Sequence, residues 1–150
     1  MRRHLAAAGL GLAAAAPLWP PVAADEVAPF AVTGDAILAP LAGRSGDAAR
    51  GRRIVLDREV GNCLACHRLP EPAERFQGEL GPDLAAVGRR LSAGQIRLRV
   101  VDQAQVNPRT IMPPYHRVDG LRRVAERYRG KPVLNAGEVE DVVAYLASLH

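Results

Sequence analysis

The stretch Cys63-Leu64-Ala65-Cys66-His67 decides the fold of this chain, because it contains both cysteines of the 150-residue sequence and ends in a histidine. C-x-x-C-H is the attachment signature of a c-type haem. If the stretch is helical, the two thiols and the imidazole share one face of the helix. The thiols can then form thioethers with the two vinyl groups of one porphyrin. The motif predicts one covalently attached haem c, with Cys63 and Cys66 holding the porphyrin and His67 ligating the iron.

Two other kinds of site also use a C-x-x-C motif, namely redox dithiols and zinc centres. A zinc centre would need a second pair of cysteine or histidine ligands, and the chain has no third cysteine. A thioredoxin-like dithiol would need alternating strands and helices, and no such pattern is present. Haem attachment is therefore the interpretation that accounts best for both cysteines.

The N-terminus has the three parts of a secretory signal peptide. Residues 1–4 are basic, residues 5–16 are apolar, and Val22-Ala23-Ala24 places small residues before a cleavage site. We expect cleavage of residues 1–24, a chain that begins near Asp25, and a periplasmic location. The uninterrupted apolar run is 12 residues long. A bilayer requires about 20 such residues, so we expect no membrane span.

Loss of this segment nearly removes the net positive charge. Lys plus Arg falls from 20 to 18 against 16 acidic residues, a formal charge of +2. Two ionised haem propionates would bring the protein close to neutral. We therefore expect no nucleic-acid partner, and no interleaving of basic and aromatic residues argues for one. A basic cluster remains between residues 122 and 131, and a solvated face is the favoured interpretation of it over a docking patch.

The pattern of the remaining chain predicts an all-α domain over residues 47–150 with long loops, preceded by an extended N-terminal segment over residues 25–46. That segment is proline-containing and aperiodic, so we expect it to be loose or to lie along a partner. N-cap residues Asp47, Ser92 and Asn135 each precede a helix-forming stretch. The predicted helices span residues 48–59, 83–87 and 93–104, with a last one after residue 135.

Met112 is the candidate for the second iron ligand, since it is the only methionine outside the predicted signal peptide. The two prolines that follow stiffen its loop, which favours holding a thioether sulfur on iron. Ligation by His67 and Met112 would raise the reduction potential and close the iron to other ligands, as electron transfer requires. The alternatives are a methionine that fills a gap in the core and His116 as the rival ligand. His150 is expected to be solvated at the terminus.

The other ring nitrogen of His67 needs a hydrogen-bond acceptor, usually a backbone carbonyl. Pro82, in the turn Gly81-Pro82-Asp83-Leu84, is the candidate acceptor. The alternative is that this residue is an ordinary turn proline.

These motifs resemble a class I cytochrome c over residues 47–150. The resemblance rests on C-x-x-C-H, the Gly-Pro-x-Leu turn, the methionine loop and the ending Val-Val-Ala-Tyr-Leu. It implies crossing N- and C-terminal helices around the haem, with Gly51 at the crossing and Tyr145 packed beside it. The chain is still more similar to one branch, the SoxX-type monohaem subunit of the sulfur-oxidising SoxAX cytochrome. The stretches that carry this closer resemblance are 61–67, 81–84, 87–88, 107–115, 117–121 and 139–146.

The resemblance implies an electron-transfer subunit paired with a larger haem subunit of SoxA type. In such a complex, thiosulfate is oxidatively joined to a cysteine of the carrier protein SoxYZ. The released electrons pass singly through the monohaem subunit to a soluble cytochrome. Both cysteines of this chain would be consumed by the haem, so the cysteine that reacts with sulfur is expected on the partner subunit.

Two other functions remain open from the residues alone. The first is a free-standing periplasmic electron shuttle that is not tied to sulfur oxidation. The second is a haem-based sensor in which His116 replaces Met112 upon a signal. The segment over residues 25–46 is expected to favour the subunit, because a partner could bury it, whereas a shuttle would gain little from it.

Overall fold

The computed structural model describes residues 27–41 and 43–150. The predicted signal peptide, residues 1–24, lies outside the described residues. The described residues form four α-helices, namely α1 Ala48–Leu56, α2 Val87–Arg90, α3 Ala93–Asp102 and α4 Ala136–Ala147, and single 3₁₀ turns at Cys63–Ala65, Gln103–Gln105 and Glu126–Tyr128. Within the described residues no strand forms beyond one isolated bridge between Thr33 and Ala36. The all-α prediction is confirmed. No helix in this part of the chain is both long and apolar enough to cross a membrane.

The predicted N-caps begin the three main helices. The Asp47 side chain accepts a hydrogen bond from the backbone of Arg50 at the start of α1. Ser92 and Asn135 each form a reciprocal capping box with the residue three positions later. The predicted C-terminal ends were too late, because α1 stops at Leu56 and α3 at Asp102. Beyond α1, Asp57 accepts from two later backbone amides, which competes with further helix.

The helix predicted over residues 83–87 is wrong, because the structure has α2 beginning only at Val87. The Asp83 side chain instead accepts from the backbone N–H of Ala85 at 2.7 Å. The N–H of Leu84 donates to the Arg68 carbonyl at 2.9 Å. Because these bonds tie residues 83–85 into a turn against the loop after the C-x-x-C-H motif, the helix starts later.

Helices α1 and α4 pack directly against each other and form the centre of the core. Gly51 makes this approach possible, since a Cβ atom added there would overlap the backbone carbonyl of Asp141 in α4. The Asp141 carboxylate accepts from the Asp47 N–H at 2.6 Å and from the Arg50 guanidinium at 2.7 and 2.9 Å. The side chains buried around this contact include Val55, Leu64, Val101, Val139, Val142, Val143, Tyr145 and Leu146.

Residues 27–41, here named the N-terminal arm, lie on the body of their own chain. The Ile37 N–H donates to the Gly94 carbonyl at 3.0 Å, and the Arg97 guanidinium donates to the Ile37 carbonyl at 2.7 Å. Ile37 is only 1% exposed. The alternative of a loose segment is therefore wrong for the arm, whereas contact with a partner stays a prediction. The Arg97 side chain points into the core and supplies the donor for the buried Ile37 carbonyl of the arm.

Arg97 and Glu140 form a buried ion pair that the sequence analysis missed. The guanidinium donates twice to the carboxylate, at 2.7 and 2.8 Å, and both side chains are almost fully buried. Glu140 also accepts from the Leu41 N–H at 2.8 Å. The pair thus joins α3, α4 and the N-terminal arm. No local pattern marked this pair, because other charged residues, Arg99 and Asp141, stand near Arg97 and Glu140 in the sequence.

Acid is expected to weaken a second ion pair, between Arg52 in α1 and the buried Glu71. Hydrogen bonding to Arg52 lowers the pKa of Glu71 despite its burial, and the Tyr145 hydroxyl, which donates at 2.7 Å, adds to the effect. A lowered folded-state pKa gives stabilisation that is complete above the unfolded value of about 4.3 and lost as pH falls through the folded value. Wild type should therefore be more stable than Glu71→Gln in urea at pH 7. The difference should shrink below about pH 4, and a difference independent of pH would contradict this.

Candidate functional site

The C-x-x-C-H motif forms a single tight turn. The backbone N–H groups of Cys66 and His67 both donate to the Cys63 carbonyl, at 3.1 and 3.0 Å. Asn62, which precedes the turn, has φ of 48°, a left-handed conformation that asparagine tolerates. The turn brings the two thiols and the imidazole within one short stretch of backbone.

The irregular loop over residues 68–82 closes back on this turn. The Gly78 N–H donates to the Leu64 carbonyl, and the Gly81 N–H donates to the Cys66 carbonyl, both at 2.7 Å. A Cβ at Gly78 would overlap the backbone of Ala65. The close approach of two backbones explains the glycine at this position.

His67 is oriented by this loop. Its Nδ1 lies 2.8 Å from the Pro82 carbonyl oxygen, where an Nδ1–H group donates to it. A hydrogen on Nδ1 leaves the lone pair on Nε2, which is the atom available to a metal. Gly81 lies against the imidazole ring, and a Cβ there would overlap it. The position of the ring therefore depends on this hydrogen bond and on the space that glycine leaves beside the ring.

Cys63 and Cys66 are half-buried and not joined in a disulfide. Burial raises the pKa of the Cys63 thiol to about 11, so this sulfur is protonated at neutral pH. The Cys63 sulfur lies 3.7 Å from the Gly61 carbonyl oxygen. The Tyr115 hydroxyl donates to the same oxygen at 2.7 Å, which brings the methionine loop to the start of the motif.

Met112 is half-buried, and its backbone N–H donates to the Thr110 hydroxyl at 3.1 Å. The chain after it is fixed to α3, because the N–H groups of Tyr115 and His116 donate to the carbonyls of Val100 and Val101, both at 3.2 Å. The structure thus places the loop that carries Met112 beside the motif through Tyr115. From the sequence, Tyr115 was expected only as part of the methionine loop. An aromatic hydroxyl directly after a double proline was the available signal.

His116 is not available as a rival iron ligand in this structure. Its side chain is fully buried at 0% exposure. Nδ1 lies 2.7 Å from the Leu134 carbonyl oxygen, and Nε2 accepts from the Ala28 N–H at 3.0 Å. Because both ring nitrogens have partners, the sensor hypothesis loses the ligand on which it depended. His150 is exposed.

The residues around the motif fit a haem. Gly81 and Pro82 orient the imidazole of His67, and the two cysteine thiols lie on the same turn as this histidine. Three large apolar side chains in the flanking loops are strongly exposed, namely Phe76, Leu80 and Ile111 at 80%, 75% and 76%. An apolar group lying on the motif would give such side chains a surface to cover. Within residues 27–41 and 43–150, no cluster of three or more His, Cys, Asp or Glu side chains has the arrangement of a metal site.

The basic cluster lies on the surface of the loop before α4. Arg127 lies 3.5 Å from the Glu59 carboxylate and stacks 4.9 Å from the centre of the Tyr128 ring. The Tyr128 hydroxyl donates to the Glu59 carbonyl at 3.3 Å. The other cluster members, Arg122, Arg123, Arg129 and Lys131, are exposed.

The comparisons with known proteins agree with this fold. No protein-family model and no curated protein matches the chain. The crystal structure of SoxXA from P. pantotrophus matches with a TM-score of 0.73 and 34% sequence identity, over 80% of this chain and 93% of the matched chain. A match at this identity over nearly the whole length of the relative establishes kinship as well as fold. The chain that carries the Cys63–His67 turn therefore belongs to the SoxX family of cytochrome subunits.

Proposed function

We propose that this chain is the monohaem electron-transfer subunit of a SoxAX-like complex that oxidatively links thiosulfate to a carrier-protein cysteine. The fold in this proposal is that of a class I cytochrome c, with α1 and α4 crossing beside the haem. The observation that carries it is the arrangement of His67, whose Nδ1 is tied to Pro82 while two free thiols lie on the same turn. Membership of the SoxX family supports the sulfur-oxidising context.

In this proposal each site residue has one task. Cys63 and Cys66 hold the porphyrin through thioethers, and His67 binds the iron through Nε2. Pro82 fixes the tautomer of His67, and Met112 would supply the second protein ligand to the iron. When bound, the haem supplies a one-electron redox couple. The exposed apolar side chains of Phe76, Leu80 and Ile111 would keep water from the bound haem.

The partners follow from the same proposal. The relative is SoxXA, so we infer a larger SoxA-type subunit that forms a heterodimer with this chain. A SoxYZ-type carrier would bring the thiosulfate, and a soluble cytochrome would take the electrons. Since haem attachment would consume both cysteines, the sulfur-reacting cysteine would be on the partner. Residues 1–24 would direct the chain to the periplasm and be cleaved.

The decisive experiment is thiosulfate-dependent reduction of the haem in the purified chain, followed by its visible spectrum. We expect reduction only when SoxA-type and SoxYZ-type partners are present, and co-purification with the larger haem subunit. The N-terminal arm does not separate a subunit from a shuttle, since it is anchored to its own chain at Ile37 although most of its residues are exposed. A monomer that never binds a SoxA-type protein would favour the free-standing shuttle.

Replacement of the proposed sulfur ligand should open the iron. Met112→Ala is expected to lower the reduction potential and to allow cyanide to bind the ferric haem, because a methionine ligand raises the potential and blocks that position. The measurements are a potentiometric titration and a cyanide titration of the holoprotein. Met112→His is the matched variant, expected to lower the potential while keeping the iron closed. An unchanged spectrum in Met112→Ala would remove this residue from the ligand set.

A methyl group at Gly81 should disturb the proximal histidine. Gly81→Ala is expected to push the His67 ring away from the Pro82 carbonyl and to weaken the Nδ1 hydrogen bond. The imidazole would then donate less electron density to the iron. A tenfold change in the relative stability of the two oxidation states corresponds to about 59 mV, and we expect a positive shift of that order. Pro82→Ala is the control, since it retains the backbone carbonyl. Reduction potentials equal to the wild-type value in both variants would show that the Nδ1 hydrogen bond does not tune the iron.

A further inference from the structure

His116 joins three separate parts of the chain through one buried ring. Its Nδ1–H donates to the Leu134 carbonyl, which directly precedes the N-cap of α4. Its Nε2 accepts from the Ala28 N–H in the N-terminal arm, 88 residues away in sequence. Its own backbone N–H donates to Val101 in α3. The ring is fully buried, and Ala28 is 3% exposed.

The connection to Met112 is short and stiff. Only Pro113, Pro114 and Tyr115 separate the two residues. The two prolines limit the backbone freedom between them. Tyr115 depends on the same residue as the His116 ring, because its carbonyl accepts from the Leu134 N–H at 2.9 Å and the ring hydrogen-bonds to the Leu134 carbonyl. A displacement of His116 would therefore be transmitted to the loop that carries Met112 rather than absorbed between them.

We propose that His116 is a positioning residue for Met112, and that the N-terminal arm, through the Ala28 N–H, fixes the methionine loop in the position from which Met112 would ligate the iron. This rests on the proposed function, in which Met112 is an axial ligand. The imidazole is suited to the task because one ring nitrogen donates while the other accepts, on opposite sides of the ring. Loss of either bond leaves a buried polar group without a partner.

The bond between the arm and the ring can be broken from either side. Ala28→Pro removes the donor N–H, and the residue already precedes a proline, which favours the extended backbone that proline adopts. His116→Asn keeps an amide donor near the position of Nδ1 but loses the reach to Ala28. Ala28→Gly keeps the N–H, and Ala31→Pro places a proline at an exposed site in the same arm. The last two are the matched controls.

The test measures cyanide affinity of the ferric holoprotein, the weak far-red absorption band of sulfur-ligated ferric haem, and amide hydrogen exchange of residues 111–116. Loss of one buried hydrogen bond should favour opening of the loop by about tenfold. Ala28→Pro and His116→Asn should each raise cyanide affinity and loop exchange by that factor and weaken the band. The double variant should go little further, because both changes break the same bond.

The possible results separate the two proposals. If Ala28→Pro and His116→Asn match the controls while Met112→Ala binds cyanide, the positioning role is wrong and the ligand assignment stands. If the two variants lower the unfolding free energy but leave cyanide affinity unchanged, His116 is only structural and the positioning role is again wrong. If Met112→Ala leaves the spectrum unchanged, the ligand assignment fails and this inference fails with it. If one variant does not fold, the other decides the outcome.

Discussion

Gly51→Ala is expected to destabilise the protein by about 3 kcal/mol, because an added Cβ would overlap the backbone of Asp141. Alanine normally stabilises a helix interior relative to glycine by about 1 kcal/mol. The expected loss of stability is therefore opposite in sign to the effect of helix propensity. It reports only the contact between α1 and α4. The measurement is urea unfolding of the holoprotein, followed by circular dichroism.

The control for this variant is Gly137→Ala, in the first turn of α4. A Cβ there would have its nearest neighbours at 3.3 Å, from the Asn135 side chain, and at 3.9 Å, from Arg44. We expect its stability to lie within about 1 kcal/mol of the wild type. Equal stability of the Gly51→Ala and Gly137→Ala variants would show that the two helices are not in backbone contact.

Glu140→Ala is expected to cost about 3–5 kcal/mol, because it leaves the Arg97 guanidinium buried without its counter-ion. The Leu41 N–H loses its acceptor in the same variant, so the N-terminal arm should also loosen. Urea unfolding gives the global loss, and amide hydrogen exchange over residues 29–41 reports on the arm. A loss below about 1 kcal/mol would mean that water reaches Arg97 in the folded protein.

The double variant Arg97→Met with Glu140→Met separates the ion pair from the packing around it. Replacement of a buried pair by apolar side chains of similar size is often nearly neutral. Here we expect the double variant to be more stable than Glu140→Ala but less stable than the wild type. The reason is that the Ile37 carbonyl and the Leu41 N–H would each lose a buried partner. Full recovery would mean that these backbone groups find other partners.

Local signals in the sequence were sufficient for several features. The caps at Asp47, Ser92 and Asn135 were predicted correctly because capping involves residues only two or three positions apart. Helix ends were less accurate, because side chains such as Asp57 and Asp83 form competing turns. The roles proposed for Cys63, Cys66, His67 and Met112 stay predictions.

Contacts between distant residues were beyond the reach of sequence patterns. His116 was considered as an iron ligand, yet it binds Ala28 and Leu134 because the arm folds back over α3. Arg97 and Glu140 lie in helix stretches whose mixture of charged and apolar residues is typical of half-exposed helices. Their burial is tolerated only because the two charges pair. The arm itself was expected to be loose or to lie along a partner, since nothing local indicates which surface an aperiodic segment will cover.

The sequence by itself determined the helical class, the starts of the three main helices and the kind of prosthetic group to expect. Each of these depends on residue types a few positions apart, whose chemistry is the same wherever the segment lies. Only the tertiary structure decided that both ring nitrogens of His116 are bonded within the chain, and where the N-terminal arm lies. Those outcomes depend on which buried polar groups find partners, and partners 43 to 88 residues apart become neighbours only when the chain has folded.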